Sequence, residues 1–272
     1  MLVLAACSKK DPPPPEPTEP WPAHAVTSSS AGPVAAQVRD YEIDERGIAN
    51  FSLKGTEAVP SGQLRVARGR LQIDLADLAR SRGKVAMDVA SVSMDEWQDG
   101  GANAATNTAR AWLAVGADRP EAERERLRWA TFEITRISEV SADTPASGRV
   151  VKQPPSADAS ADAGDGGSAE PGTSRSVRLK ALGTLTFNGY RVERGVSLEV
   201  MFHWRAGQSE QTPPTALSLR TRSPLFVELA AFDVAPRDQA GRRVPADDRL
   251  LGRQVGREAR VELQLSAKLS GK

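Results

Sequence analysis

The sequence holds little of what marks a catalyst, a metalloprotein, a nucleic-acid binder or a chain that crosses a membrane as a helix. Among its 272 residues there is one cysteine, Cys7, and two histidines. One cysteine cannot close a disulfide within the chain. His24 lies in a proline-rich tail, which leaves His203 as the lone histidine of the folded part, unable to build a His-based metal site with Cys because Cys7 also lies in the tail. No G-x-S-x-G, H-E-x-x-H, P-loop or G-x-G-x-x-G spacing occurs. Neither an enzyme nor a cofactor site is therefore expected. The 36 basic residues are matched by 35 acidic ones, for a net charge of +1. That balance provides no electrostatic footprint for nucleic acid. No stretch reaches the roughly 20 apolar residues of a membrane-spanning helix. Aromatics make up only 5%, so a core must be built mainly from Val, Leu, Ile and Ala.

Two stretches lack any periodic apolar face. Residues 8–38 are rich in Pro, Ser, Thr and Ala, and residues 141–175 in Ala, Asp, Gly, Ser and Pro. Neither can bury enough surface to offset its ordering entropy, so both are expected to be disordered. Asp158, Asp162, Asp165 and Glu170 in the second stretch lack the spacing of a calcium loop. The remaining 200 or so residues match one all-β domain over 39–272, interrupted by the insertion.

The clearest pattern in the domain is Ser176 to Trp204. Val177, Leu179, Ala181, Gly183 and Leu185 fall on one face of a first arm. Val196, Leu198, Val200, Phe202 and Trp204 do so in a second. Alternation of this kind is the period of a half-buried strand. Asn188-Gly189 between them tolerates positive φ, so the two arms read as a β-hairpin. Further strands are expected at Tyr41–Asp44, Ile48–Lys54, Gly69–Leu75, Lys84–Met94, Thr131–Ile137, Ala216–Arg222 and Ala259–Leu269, with Val59–Gly62 as a turn. The last strand places Val261, Leu263, Leu265, Ala267 and Leu269 on one face and is suited to close a sheet against the first. Between 100 and 130 the period changes: Ala109, Trp112, Leu113 and Val115 fit one helix face, and Pro120 restarts a helical run through Trp129 anchored by Leu127. The run Arg119–Arg128 reads as a solvated helix face. Asp74, Asp88 and Glu199 are expected on the solvent face of their strands.

Residues 2–7, Leu-Val-Leu-Ala-Ala-Cys, resemble the lipobox of bacterial lipoproteins. The resemblance implies that residues 1–7 are the remnant of a signal, that Cys7 is acylated, and that residues 8–38 tether the domain to a membrane. The proline run favours an extended polyproline II spacer. A signal peptide needs a basic start and roughly 7–15 apolar residues, so the true start is expected upstream. Ser8 after the Cys resembles lipoproteins sorted to the outer membrane. The expected location is the bacterial cell envelope, facing the periplasm.

The order of the domain's segments resembles the YceI-like, polyisoprenoid-binding family. The residues that carry this are Tyr41-x-Ile43-Asp44 followed by a Phe-bearing strand, Gly69-Arg70-Leu71, Val89-Ala90-Ser91-Val92-Ser93-Met94, Thr131-Phe132, and Leu182-Gly183-Thr184-Leu185-Thr186-Phe187-Asn188-Gly189. Val255-Gly256 leads into the closing strand. Met94 stands where the family has Thr, and Pro224-Leu225-Phe226 interrupts its Arg-Ser-x-Phe-Gly pattern, which marks a divergent member. The resemblance implies an antiparallel lipocalin-like β-barrel with a short helical link, enclosing the chain of an isoprenoid-type lipid. The expected cavity lining is Phe51, Leu53, Val85, Met87, Val89, Phe132, Ile134, Leu185, Leu198, Val200 and Phe202. The alternative is a structural or interaction module, the same barrel with a filled core that contacts another envelope protein. Cavity volume separates the two, because a carrier calls for a tunnel beyond roughly 300 Å³. No oligomeric state is assigned by the sequence.

Overall fold

Alternation of apolar and polar residues runs through nearly every strand, and the architecture follows from closing those strands into a ring. The computed structural model describes residues 37–55, 59–65, 67–95, 101–142, 172–237, 242–244, 249–250 and 253–271. Cys7, the tail before residue 37 and residues 143–171 of the insertion lie outside the described residues. The strands are β1 Val38–Ile43, β2 Ile48–Gly55, β3 Ser61–Arg65, β4 Ala67–Asp74, β5 Arg82–Asp88, β6 Ser93–Met94, β7 Trp129–Ala142, β8 Ser174–Phe187, β9 Tyr190–His203, β10 Ala216–Thr221, β11 Leu225–Glu228, β12 Arg249–Leu250 and β13 Arg253–Leu269. Two helices, α1 Gly101–Trp112 and α2 Glu121–Leu127, fill the connection from β6 to β7.

Twelve of these strands combine into eight arms, and the short β12 pairs with the start of β13. β1 with β2, β3 with β4, β5 with β6, and β10 with β11 are each two halves of one bent arm. β7, β8, β9 and β13 are the other four. Every arm pairs antiparallel with its neighbours, and β13 closes the ring by pairing with β1 through Tyr41↔Leu269 and with β2 through Val261↔Phe51. This is an all-β, lipocalin-like barrel. The hairpin reads in the structure as it does in the sequence: Leu179 pairs with Leu198 and Val177 with Val200. Asn188 and Gly189 take φ of 51° and 83°.

One half of the interior is filled. Tyr41 and Leu217 are fully buried there beside Phe202 and Trp204, whose rings lie 6.4 Å apart. Tyr41 donates its hydroxyl to Pro214 O at 3.0 Å, and Trp204 donates Nε1 to Thr212 O at 2.8 Å. Burial pushes the Tyr41 hydroxyl up to about 12, so it stays a donor. His203 faces outward, between Ser174 Oγ and Ser218 Oγ, each 2.9 Å away.

Several expectations are corrected. Val59–Gly62 is not wholly a turn, because Ser61 and Gly62 already belong to β3. Gly62 is there for close approach: a Cβ would meet Ser93 O of β6 at 2.5 Å. The segment Lys84–Met94 is not one strand. Asp88 accepts from Ala90 N at 2.9 Å and starts a 3-10 turn over Val89–Ser91, which re-aims the chain from β5 to β6. Asp74 and Asp88 are buried, not solvent-facing. Each ends a strand, where backbone N–H groups need an acceptor. Asp74 takes Gln37 N, Ala76 N and Arg80 Nε within 3.1 Å. Glu199 lies on the outer face but is held by Ser176 and Arg220. The low-complexity boundaries also move inward, with β7 reaching Ala142 and β8 starting at Ser174.

Burial lowers the pKa of His203, so the folded state holds the neutral ring. For Asp74 burial acts to raise the pKa, but the backbone donors and Arg80 outweigh it and hold the carboxyl below its usual range. Both groups bind fewer protons folded than unfolded, so both contribute stability that is lost on acidification. Unfolding midpoints should fall first as pH drops below about 6.5 and again below about 4. His203→Gln should remove the first step and leave the second. The glycines separate in the same assay. Gly62→Ala should cost roughly 2–3 kcal/mol through overpacking. Gly189→Ala, with open space around it, should cost only about 1 kcal/mol of backbone strain.

Candidate functional site

The other half of the barrel is not filled. It encloses a cavity of about 190 Å³ whose wall is formed by Ala49, Phe51, Leu64, Leu71, Val85, Met87, Val89, Ala130, Phe132, Ile134, Leu185, Phe187, Val196, Leu198, Leu219, Leu225, Val227, Leu229, Ala259, Val261, Leu263 and Leu265. Every one of these residues is apolar. The wall follows from strand period: Phe132 and Ile134 on β7 and Leu185 and Phe187 on β8 repeat every second residue, and register pairs such as Phe132↔Leu185 bring them side by side. Phe51, Phe132, Leu185, Leu225, Val261 and Leu263 point into the barrel yet are only half-buried. An apolar void of this size costs roughly 4–5 kcal/mol at about 24 cal/mol per Å³. That is large against the 5–15 kcal/mol that holds a typical domain together.

Eight residues expected to line the cavity do so: Phe51, Val85, Met87, Val89, Phe132, Ile134, Leu185 and Leu198. Three do not. Val200 and Phe202 lie further along β9, in the filled half with Tyr41 and Trp204. Alternation gives the face of a strand but not the depth at which packing closes it. Leu53 lies beyond the cavity toward the helices, in a cluster with Met94, Ala105, Trp112 and Val255. The volume is below the roughly 300 Å³ set as a carrier's lower bound, because phenylalanines from β2, β7 and β8 narrow the space. Sequence reading missed β11, with Leu225 and Val227. Pro224 and the shortness of the strand hid its alternation. Phe187 continued the inner row of β8 and could have been found.

The helical link packs over this end. Ala105, Trp112, Ala114, Val115 and Leu127 are buried in one cluster with Val89, Phe187 and Phe232, two of which also line the cavity. A charged clasp holds the link at its C-terminal end. Arg128 donates Nε and an Nη to Asp88 Oδ2 at 3.0 and 2.8 Å, and reaches Glu125 at 3.1 Å. The Asp88 carboxylate raises the Arg128 pKa. The Arg119–Arg128 run is therefore not simply a solvated face. Trp129 follows, with the Arg68 guanidinium 3.6 Å over its ring. These groups stand at the rim, and the cavity wall itself offers no polar atom for chemistry. Among the described residues no group of three or more His, Cys, Asp or Glu side chains could hold a metal ion, and no helix is long and apolar enough to cross a membrane. A second hollow, about 590 Å³, lies on the polar outer face, where Asp44 is already bound to Arg46 and Lys268.

No protein-family model matches the chain, and no curated protein does. Among solved structures it is similar to BcnA of Burkholderia cenocepacia, at 17% identity and a TM-score of 0.47, over 83% of this chain and 99% of that one. It is also similar to a polyisoprenoid binding domain from Saccharophagus degradans implicated in plant cell wall breakdown. That match has 16% identity and a TM-score of 0.47, over 85% of this chain and 98% of that one. At such identity and overlap, function has to be argued from this chain's own geometry.

The clasp at Asp88 is testable. Arg128→Met leaves a carboxylate that is 4% exposed without its cation, and should lower stability by about 2–4 kcal/mol in urea unfolding. Glu125→Gln, at an exposed position, should cost under about 0.5 kcal/mol. Equal effects from the two would show that Asp88 does not depend on Arg128.

Proposed function

We propose that this barrel binds, without catalysing any reaction, the apolar chain of an isoprenoid or similar amphiphilic lipid. We further propose that it works in the bacterial envelope, held there through an acylated Cys7. The observation that carries the reading is a cavity walled only by apolar side chains inside a barrel whose other half is packed. Such a space attracts methylenes and has nothing to orient a polar substrate. Each buried CH₂ gains roughly 0.8 kcal/mol, so affinity accumulates along the chain without directional contacts. The cavity exceeds the dry one of about 150 Å³ that admits benzene in an engineered protein. It suits a slim run of isoprene units more than a bulky ring system. The YceI-like order of sequence segments supports the same ligand class.

The packed half around Phe202 and Trp204, and a volume under the expected bound, favour the second reading, an interaction module with a largely filled core. Organic extraction and native mass spectrometry of the chain purified from a bacterial host separate the two. A carrier should yield a stoichiometric long-chain lipid. A protein that emerges apo and stays apo after incubation with polyprenyl lipids and isoprenoid quinones would sink the proposal. Ala259→Leu projects extra volume into the cavity. It should raise the stability of the ligand-free protein by about 1–2 kcal/mol and reduce lipid retention at least tenfold. In intact cells, Cys7→Ser should abolish both the acyl mass and membrane association.

A further inference from the structure

The barrel wall has a seam beside the cavity. β9 pairs with β8 along its whole length, from Tyr190 to His203. On its other side it pairs with β10 only from Leu198 to His203, and Arg222 N adds one bond to Ser197 O at 2.9 Å. β11 continues the same arm but pairs with β13 alone, through Leu225↔Val261 to Glu228↔Glu258. Among the described residues no strand pairs with β9 between Tyr190 and Val196 on this side. The arms part at Ser197 and are tied again below, where Asn188 Nδ2 donates to Phe232 O at 3.0 Å. Both flanks of the seam line the cavity, Val196 on one side and Leu225 and Val227 on the other.

One charge breaks the inward row of β9 at this height. That row reads Val192, Arg194, Val196, Leu198, and its partners across the hairpin are Leu185, Gly183, Ala181 and Leu179. Gly183 places no side chain against Arg194. Arg194 is half-buried, and its one hydrogen bond is from Nη1 to its neighbour Glu193 O at 3.0 Å, in an exposed setting. No carboxylate pairs with it among the described residues. Glu193 and Glu228 sit at exposed, outward positions of the flanking strands. A guanidinium on an apolar row is costly unless its head reaches water or an anion, and the seam supplies that outlet.

We infer that the seam is a lateral mouth and that Arg194 receives the anionic head, a phosphate or a carboxylate, of an amphiphile whose tail lies in the cavity. This rests on the lipid-binding reading and adds head-group selectivity to it. A guanidinium offers paired donors that match both oxyanions, whereas a neutral alcohol head gains little from it. Sideways entry also removes the need to unseat the α1–α2 link over the barrel end.

The full chain is titrated with three amphiphiles that share one tail: dodecyl phosphate, dodecanoate and dodecanol. The two anions should bind at least tenfold more tightly than the alcohol, and the tighter of the two identifies the preferred head. Arg194→Gln should bring the anions down to the level of the alcohol, and Arg194→Lys should keep part of the preference. Equal affinity for all three, or a preference that survives Arg194→Gln, overturns the assignment of Arg194 and leaves the cavity reading standing. Failure of all three to bind overturns both. For the route, Glu193→Cys and Phe226→Cys are combined with Cys7→Ser and joined by a cleavable bifunctional thiol reagent. Uptake should slow at least tenfold and recover on cleavage. Uptake at an unchanged rate would exclude the lateral mouth.

Discussion

Ring closure by β13 is the constraint on which the other features depend. Its 17 residues serve two bent arms at once. On one edge they pair with β10 and then β11, and on the other with β1 and then β2. Without this strand, four strand edges would be left with unpaired N–H and C=O groups, and apolar rows would face water. The same strand supplies Val261, Leu263 and Leu265 to the cavity and Ala267 to the packed half. Its length sets the depth over which the interior can differ from one end to the other.

That difference is the basis of the functional argument. Tyr41, Phe202 and Trp204 fill one end of the barrel. Toward the helical link the arms bend: β5 gives way to a 3-10 turn at Asp88, and β11 leaves β9. The apolar side chains there leave about 190 Å³ unfilled. The cavity lies at this bent end. Asp88 stands at the junction, bending the backbone through Ala90 N and anchoring Arg128 with its other oxygen.

Much of the barrel was legible in the sequence because strand period is a local signal. The hairpin faces and the Asn188-Gly189 turn appear as read, while the two helices end at Trp112 and Leu127, short of the expected Val115 and Trp129, and the closing strand starts at Arg253, six residues before the expected Ala259. The inward face of eight cavity residues also appears as read. The filled depth of the barrel was not legible, since Val200 and Phe202 have the same alternation as Leu198 and differ only in what lies opposite. Nor was the role of Asp74 and Asp88. A carboxylate between apolar residues reads as an exposed position until the backbone donors at a strand end are known. β11 escaped because four residues after a proline carry too few repeats to show a period.

The β8–β9 hairpin and the β1–β13 closure differ widely in how far apart their partners lie along the chain. Phe187 and Tyr190 are nearly adjacent, whereas Tyr41 must find Leu269. Local pairings of the first kind form early, and pairings across most of a chain form late and slowly. On that order the hairpin, with its apolar face exposed, precedes the closed ring. On the proposed lipid-binding reading, a chain-like molecule present before the ring closes is enclosed by the closure, so the place where the protein folds bears on what the cavity holds.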